Sequence, residues 1–275
     1  MNYLIGYNTN GFQNHRLLDA LLVLEKIGYN CIALTLDHPH LNPFLTSKKE
    51  LLEIKNAIEE KGMKCVIETG ARYLLDPFRK HYPTFLSKKY QKRIDYLKRS
   101  IEIAKQLNAL CVSFFSGKND SSLKPLDAIR LFTERLRELI EFAQDHNVPL
   151  ALEPEPGMLV EKLQDYDKIK QELNNLPLHL TLDIGHVICV ENFSIPTAIE
   201  KYNSEILNIH LEDIAGKKHI HLPFGEGNIH FPPIFQSIQN LQKPTPLNVE
   251  LSRSSHQAPE AAKASYEFIR NYLQT

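Results

Sequence analysis

Thr181-Leu182-Asp183-Ile184-Gly185-His186 is an apolar run that closes on an acid, a glycine and a histidine. With Leu178-His179-Leu180 ahead of it, residues 178–182 read as a buried strand with Asp183 at its C-terminal tip. Strands of a parallel sheet are covered on both faces and run nearly continuous in aliphatic residues, and chemistry is placed where their C-terminal ends open onto loops. A carboxylate at such a tip, with an imidazole three residues on, can offer two donors to one cation. Three other strand-like runs end in the same way, at Glu153, His210 and Glu250.

Around this stretch the chain alternates. Strands are expected at 3–8, 31–36, 63–67, 110–115, 149–152, 178–182, 206–209 and 247–249. Helical spacing fills the intervals at 17–27, 47–61, 86–107, 124–146, 160–174, 195–202, 234–241 and 259–273. The ends carry local signals: Ser47 with Glu50 forms a capping-box pattern, Gly28 and Gly62 stop helices, and Pro125 sits in a first turn, where a missing N–H costs nothing. Strict βα alternation implies a parallel sheet with right-handed crossovers, and eight units in about 250 residues match a closed barrel. The expected fold is α/β, a (β/α)8 TIM barrel, as one domain over 1–275. An open doubly wound sheet competes, but no GxGxxG follows the first strand.

Composition narrows the function. The 32 basic and 33 acidic residues leave a net charge of −1, which gives no global attraction to nucleic acid or to a membrane surface. Residues 1–6 lack the pattern of a secretory leader, and no apolar run approaches the roughly 18–20 residues of a membrane span. Cys31, Cys65, Cys111 and Cys189 form no CxxC pair and read as small buried hydrophobes in a reducing compartment. A cytoplasmic protein is expected.

In a barrel all eight C-terminal tips surround one mouth, so Glu153, Asp183, His210 and Glu250, at tips five to eight, become neighbours. Three carboxylates and an imidazole repel or desolvate one another unless a cation lies between them; mixed O and N donors suit Mn, Mg, Co, Zn or Fe, with open positions in a catalytic site. Taken singly, a Glu or His near a strand end is more often a solvated or hydrogen-bonded structural group. Four at successive tips are hard to obtain by chance.

The motifs Leu152-Glu153-Pro154, Leu182-Asp183-Ile184-Gly185-His186, Asn208-Ile209-His210-Leu211-Glu212-Asp213, 221–229 (HLPFGEGNI) and Val249-Glu250 resemble the xylose isomerase-like TIM barrels over most of the chain. That group includes sugar and sugar-phosphate isomerases and epimerases, hydroxypyruvate isomerase and apurinic-site endonucleases. The resemblance implies a divalent cation held by Glu153, Asp183, His210 and Glu250, with Glu153 and Glu250 as the acid/base pair and His186 on a substrate oxygen. It implies an isomerase or epimerase of a small sugar, sugar phosphate or related hydroxy-carbonyl compound, working through a metal-stabilised enediolate. A multi-zinc phosphodiesterase of the apurinic-site endonuclease type and a metal-dependent dehydratase are the alternatives. Family members are often dimers or tetramers, so a homo-oligomer is also implied.

Some residues depart from the pattern or lie beside it. The endonucleases carry Asp-x-His where this chain has His219-Ile220-His221, which makes His219 and His221 candidates for an additional metal. Those enzymes also use histidines at tips three and four, whereas here tip three offers Glu68 and tip four only Ser113 and Ser116. Glu68, Arg72, His221 and Arg253 are candidate substrate contacts, and Arg72, Arg79, Lys80 and Arg253 suit a phosphate or carboxylate. The Lys- and Arg-rich run 79–99, with interleaved aromatics, reads as the solvated face of an amphipathic helix rather than a nucleic-acid platform. The expected partner is a small sugar or polyol.

Overall fold

The computed structural model describes residues 3–174 and 176–273. Eight parallel strands pair in sequence order and close on themselves: β1 Tyr3–Asn8, β2 Cys31–Thr35, β3 Lys64–Glu68, β4 Val112–Phe115, β5 Leu150–Glu153, β6 His179–Asp183, β7 Ile206–Leu211 and β8 Thr245–Val249. Five paired positions, from Tyr3 opposite Thr245 to Tyr7 opposite Val249, join β1 to β8 and close the barrel. The leading Met1 and Asn2, read above for a leader pattern, lie outside the described residues.

Residue size sorts the strand faces. Small side chains (Cys31, Ala33, Val66, Cys111, Ala151) fill the interior near the N-terminal end, where eight strands leave little room. Larger neighbours on the alternate positions, among them Ile32, Leu34, Ile67, Leu152, Leu180 and Leu182, join the outer core beneath the helices. Above the small apolar plug comes a polar layer. The hydroxyl of Thr181 donates to Ser113 Oγ at 2.9 Å, and Asn248 donates to Asn208 at 2.8 Å. Gly6 makes room for this layer: a Cβ there would stand 1.9 Å from Asn248 Oδ1.

The helices are α1 Leu17–Ile27, α2 Lys48–Glu60, α3 Gln91–Gln106, α4 Pro125–Asp145, α5 Leu163–Leu173, α6 Ile184–Val190, α7 Ile195–Tyr202, α8 Pro232–Gln239 and α9 Ala258–Leu273. The capping box is present, with Ser47 Oγ accepting from the Glu50 N–H and Glu50 from the Ser47 N–H. Gly28 ends α1 at φ 115°, a conformation that disfavours any Cβ.

Three expectations are corrected. α6 has no counterpart in the sequence reading, because its seven residues start directly at the tip of β6 and bury Ile184, Gly185, His186 and Val187 together, leaving no amphipathic stripe. The helix expected from residue 86 begins at Gln91; before it, Asp120 accepts from the hydroxyls of Thr84 and Ser87 and holds a turn instead. Nor is the basic run wholly solvated. Arg93 is buried, donates to the carbonyls of Pro83 and His81 at 3.0 Å each, and lies over the Tyr96 ring. Burial lowers its guanidinium to about 10.

Candidate metal and active site

Alternation along the strands decides which side chains enter the mouth. On β7 and just beyond, Asn208, His210 and Glu212 share the inward row; Thr181 and Asp183 share it on β6, Ala151 and Glu153 on β5, Val66 and Glu68 on β3, Asn248 and Glu250 at β8. Asp183 and His210 are directly paired in the β6–β7 register. The next layer above the amide and hydroxyl groups is therefore made of acids and one imidazole.

His210 is its centre. Nδ1 lies 2.9 Å from Glu250 Oε2, 3.2 Å from Glu153 Oε1 and 3.8 Å from Asp183 Oδ2. On the other edge, Nε2 donates to Glu68 Oε1 at 2.9 Å, and that same oxygen accepts from Asn208 Nδ2. The four residues at tips five to eight offer donor atoms that all lie within 4.8 Å of one another.

Burial sets the charges here. It would push the His210 imidazole down, but Glu68, Glu153 and Glu250 together hold it well above the ordinary histidine value. Burial raises Glu153 to about 7, against the pull of His210. Asp183 is also raised, by burial and then by Glu212 and Glu153. Glu250 goes the other way: burial is outweighed by His210, His221 and the hydrogen bonds from His210 and Asn10. Three carboxylates compete for one positive charge.

A divalent cation fits this donor set. Asp183 Oδ1 is used by the N–H of His186 at 2.7 Å, capping α6, while Oδ2 is buried with no hydrogen-bond partner. A buried carboxylate oxygen left unpaired is expensive, and a metal bond would satisfy it. Glu68 is well placed to orient the ring of His210, as carboxylates commonly do behind a metal-bound imidazole.

A second cluster sits beside the first. His186 donates through Nδ1 to the Pro154 carbonyl at 3.0 Å, which leaves Nε2 facing His219 Nε2 at 2.9 Å. His219 Nε2 is in turn 3.2 Å from His221 Nε2. Burial and then the neighbouring rings lower His186 and His219, whereas Glu250 and Glu212 more than offset burial at His221 and raise it to about 9.

The loop carrying His219 and His221 is fastened from below. Asp213 Oδ2 accepts from the N–H groups of Gly225 and Gly227, and Oδ1 from those of Ile214 and Ile229, all between 2.9 and 3.1 Å. Gly227 is required by this contact, since a Cβ would stand 2.2 Å from Asp213 Oδ1. Glu212 accepts from the Gly185 N–H at 2.8 Å and places Oε2 3.7 Å from His221 Nδ1.

The mouth opens into a cavity of about 790 Å³. Every candidate except Asp183 lines it: Glu153, His210, Glu250 and Glu68, then His186, His219 and His221, then Arg72 and Arg253. Asp183 lies just beneath, against His210. Sequence reading missed Asn10, which donates to Glu250 Oε1 at 2.7 Å, and Glu155, a cavity carboxyl raised by burial to about 8. It also missed Asn208 and Glu212, although their two-residue spacing on either side of His210 would have marked them as inward neighbours; Asn10, in the turn after β1, carried no signal.

The family model for xylose isomerase-like TIM barrels matches residues 21–272. The chain belongs to this family. It is 24% identical over 258 residues to the L-ribulose-5-phosphate 3-epimerase UlaE of Escherichia coli (strain SMS-3-5 / SECEC), covering 90% of this chain and 87% of that protein. Among solved structures, an L-ribulose 3-epimerase superposes with a TM-score of 0.78 at 17% identity, covering 99% of this chain and 95% of the other. The IolI protein, solved with a binding zinc atom, also gives 0.78 at 17% identity, with 98% of each chain covered. At these identities the structural likeness concerns the fold of the xylose isomerase-like barrel. No helix among the described residues is long and apolar enough to cross a membrane.

Proposed function

We propose that this chain is a divalent-metal-dependent epimerase or isomerase of a small sugar, sugar phosphate or related hydroxy-carbonyl compound. The observation that carries the reading is the meeting of Glu153 and Glu250 on one edge of His210, with Asp183 beside them. Glu153, Asp183, His210 and Glu250 hold the cation, of which Mn, Mg, Co and Zn all suit the donors. When bound it supplies a Lewis acid that polarises a substrate carbonyl and acidifies the neighbouring C–H.

The protein's own groups handle the proton. Glu153 and Glu250 come from β5 and β8, which flank β6 and β7, so they approach the mouth from different sides. One carboxylate removes the C–H proton and the other returns a proton, to the opposite face in epimerisation or to the adjacent carbon in isomerisation. Asn10 fixes the orientation of Glu250, and His186 and His221 face the cavity where substrate oxygens lie. Likeness to UlaE over 90% of the chain supports a ketose as substrate.

The experiment is hydrogen exchange in D2O, followed by NMR, on a panel of free and phosphorylated ketoses with Mn, Mg, Co or Zn added. Exchange at the carbon next to the carbonyl, lost in Glu153→Gln and Glu250→Gln, is expected. No exchange with any metal and substrate overturns the reading.

The three imidazoles of His186, His219 and His221 favour a second reading, a multi-zinc phosphodiesterase, because an Nε2 cluster of this kind can hold an additional ion. Two or three zinc ions per chain with cleavage of abasic DNA would support it. One ion per chain without cleavage supports the first.

A further inference from the structure

The cavity is electrically two-layered. Its floor, built from strand tips, is acidic; its rim, built from the loops beyond them, carries Arg72, Arg79 and Lys80 after β3, Lys118 after β4 and Arg253 after β8. These loops leave strands on both sides of β1 and β2, yet the cations feel one another. Burial and then the charge of Arg72 push the Lys80 ammonium below the usual lysine value, with Arg253 and Lys118 adding to the effect and Glu155 opposing it. Arg79 has a partner in Asp76 at 3.5 Å and stacks on Tyr82. Among the described residues, no carboxylate forms an ion pair with Arg72, Lys80, Lys118 or Arg253.

Four unpaired cations gathered around one cavity repel one another and call for an anion from outside. We infer that the rim formed by Arg72, Lys80, Lys118 and Arg253 is a phosphate subsite, so that the substrate is a phosphorylated ketose with its phosphate at the rim and its carbonyl end on the acidic floor. This rests on the epimerase or isomerase reading for the floor, whereas the rim makes its own demand. A phosphate monoester brings nearly two negative charges and three acceptor oxygens, enough for several guanidinium and ammonium donors. A neutral sugar would leave the four charges unmatched. The acidic floor, in turn, repels the phosphate, so the two layers also fix the direction in which the substrate enters.

The test measures binding, without turnover, on the metal-loaded protein at fixed ionic strength. Calorimetry compares a ketopentose, its 5-phosphate, a ketose ending in a carboxylate, and inorganic phosphate alone. The 5-phosphate is expected to bind at least tenfold more tightly than the free sugar. Lys80→Ala and Arg253→Ala should each weaken binding of the 5-phosphate and of inorganic phosphate about three- to tenfold, and the double variant more, as charge-assisted contacts at a partly solvated rim predict. Thermal melts of both variants verify that the fold is kept. Equal affinity for free and phosphorylated sugar, or phosphate binding untouched in the double variant, overturns the subsite. A preference for the carboxylate-ended sugar overturns the phosphate in its favour. Failure of the floor reading looks different: no C–H exchange on any sugar, with the phosphate preference intact.

Discussion

His210 Nε2 lies 2.9 Å from Glu68 Oε1, and this contact turns the opposite ring nitrogen toward Glu153, Asp183 and Glu250. Glu68, expected from sequence to touch substrate, is therefore also placed to orient a metal-binding imidazole. Glu68→Gln should lower divalent-metal affinity by about tenfold or more, the usual scale for a carboxylate behind a ligating histidine. Competition titration with a metallochromic chelator measures this. Unchanged affinity would reduce Glu68 to a cavity-lining acid.

Asp183 has one oxygen on the N–H of His186 and one without a hydrogen-bond partner, 3.8 Å from His210 Nδ1. Asp183→Asn keeps the cap but replaces one anionic oxygen by an amide or leaves it neutral, so bound metal per chain should fall well below that of the unsubstituted protein; His210→Ala should do the same. Elemental analysis after dialysis gives the answer. Full metal content in Asp183→Asn would contradict the assignment.

Chelation should abolish turnover and leave the barrel folded, because its core of aliphatic and aromatic side chains lies between the strands and helices, away from the acidic mouth. Far-ultraviolet circular dichroism before and after chelator is the measurement. Melting of the secondary structure at room temperature would show that the ion is structural.

Asp213 accepts four backbone N–H groups, two on each oxygen. Asp213→Asn sets an amide donor against two of them, and losing partners for buried donors costs roughly 1–3 kcal/mol each. The loop bearing His219 and His221 should loosen. Hydrogen exchange at the N–H groups of Gly225, Gly227 and Ile229 should accelerate more than exchange in β7, and equal protection in both proteins would argue against this role.

His81 contributes one part of the pH dependence of stability. Its Nδ1 donates to the Gly70 carbonyl at 3.1 Å, and burial, then Lys80, lower its imidazole to about 3. In the unfolded chain it titrates near 6.5, so between these values the unfolded state binds the extra proton and stability falls as pH falls. The contribution is present above about 6.5 and is lost progressively toward 3. His81→Asn suits the positive φ of 59° and removes the titration. Between pH 7 and pH 4 its melting temperature should drop less than that of the unsubstituted protein; identical drops would assign the dependence elsewhere.

Much was legible in the chain itself. Eight aliphatic runs alternating with eight amphipathic segments pointed to a parallel α/β sheet, because hydrophobic period depends on local geometry alone, and their number to a closed barrel. The same runs determined which acids and which histidine stand at the tips, since a strand's last residues are its last residues in any register. Tertiary structure decided the rest. Whether Glu68 serves substrate or His210, whether Asn10 reaches Glu250 across 240 positions, and whether Arg93 is wet or buried all depend on barrel closure and loop packing. The gathering of Arg72, Lys80, Lys118 and Arg253 around one cavity depends on it too. Side-chain charges act through space, and only the closed fold sets those separations.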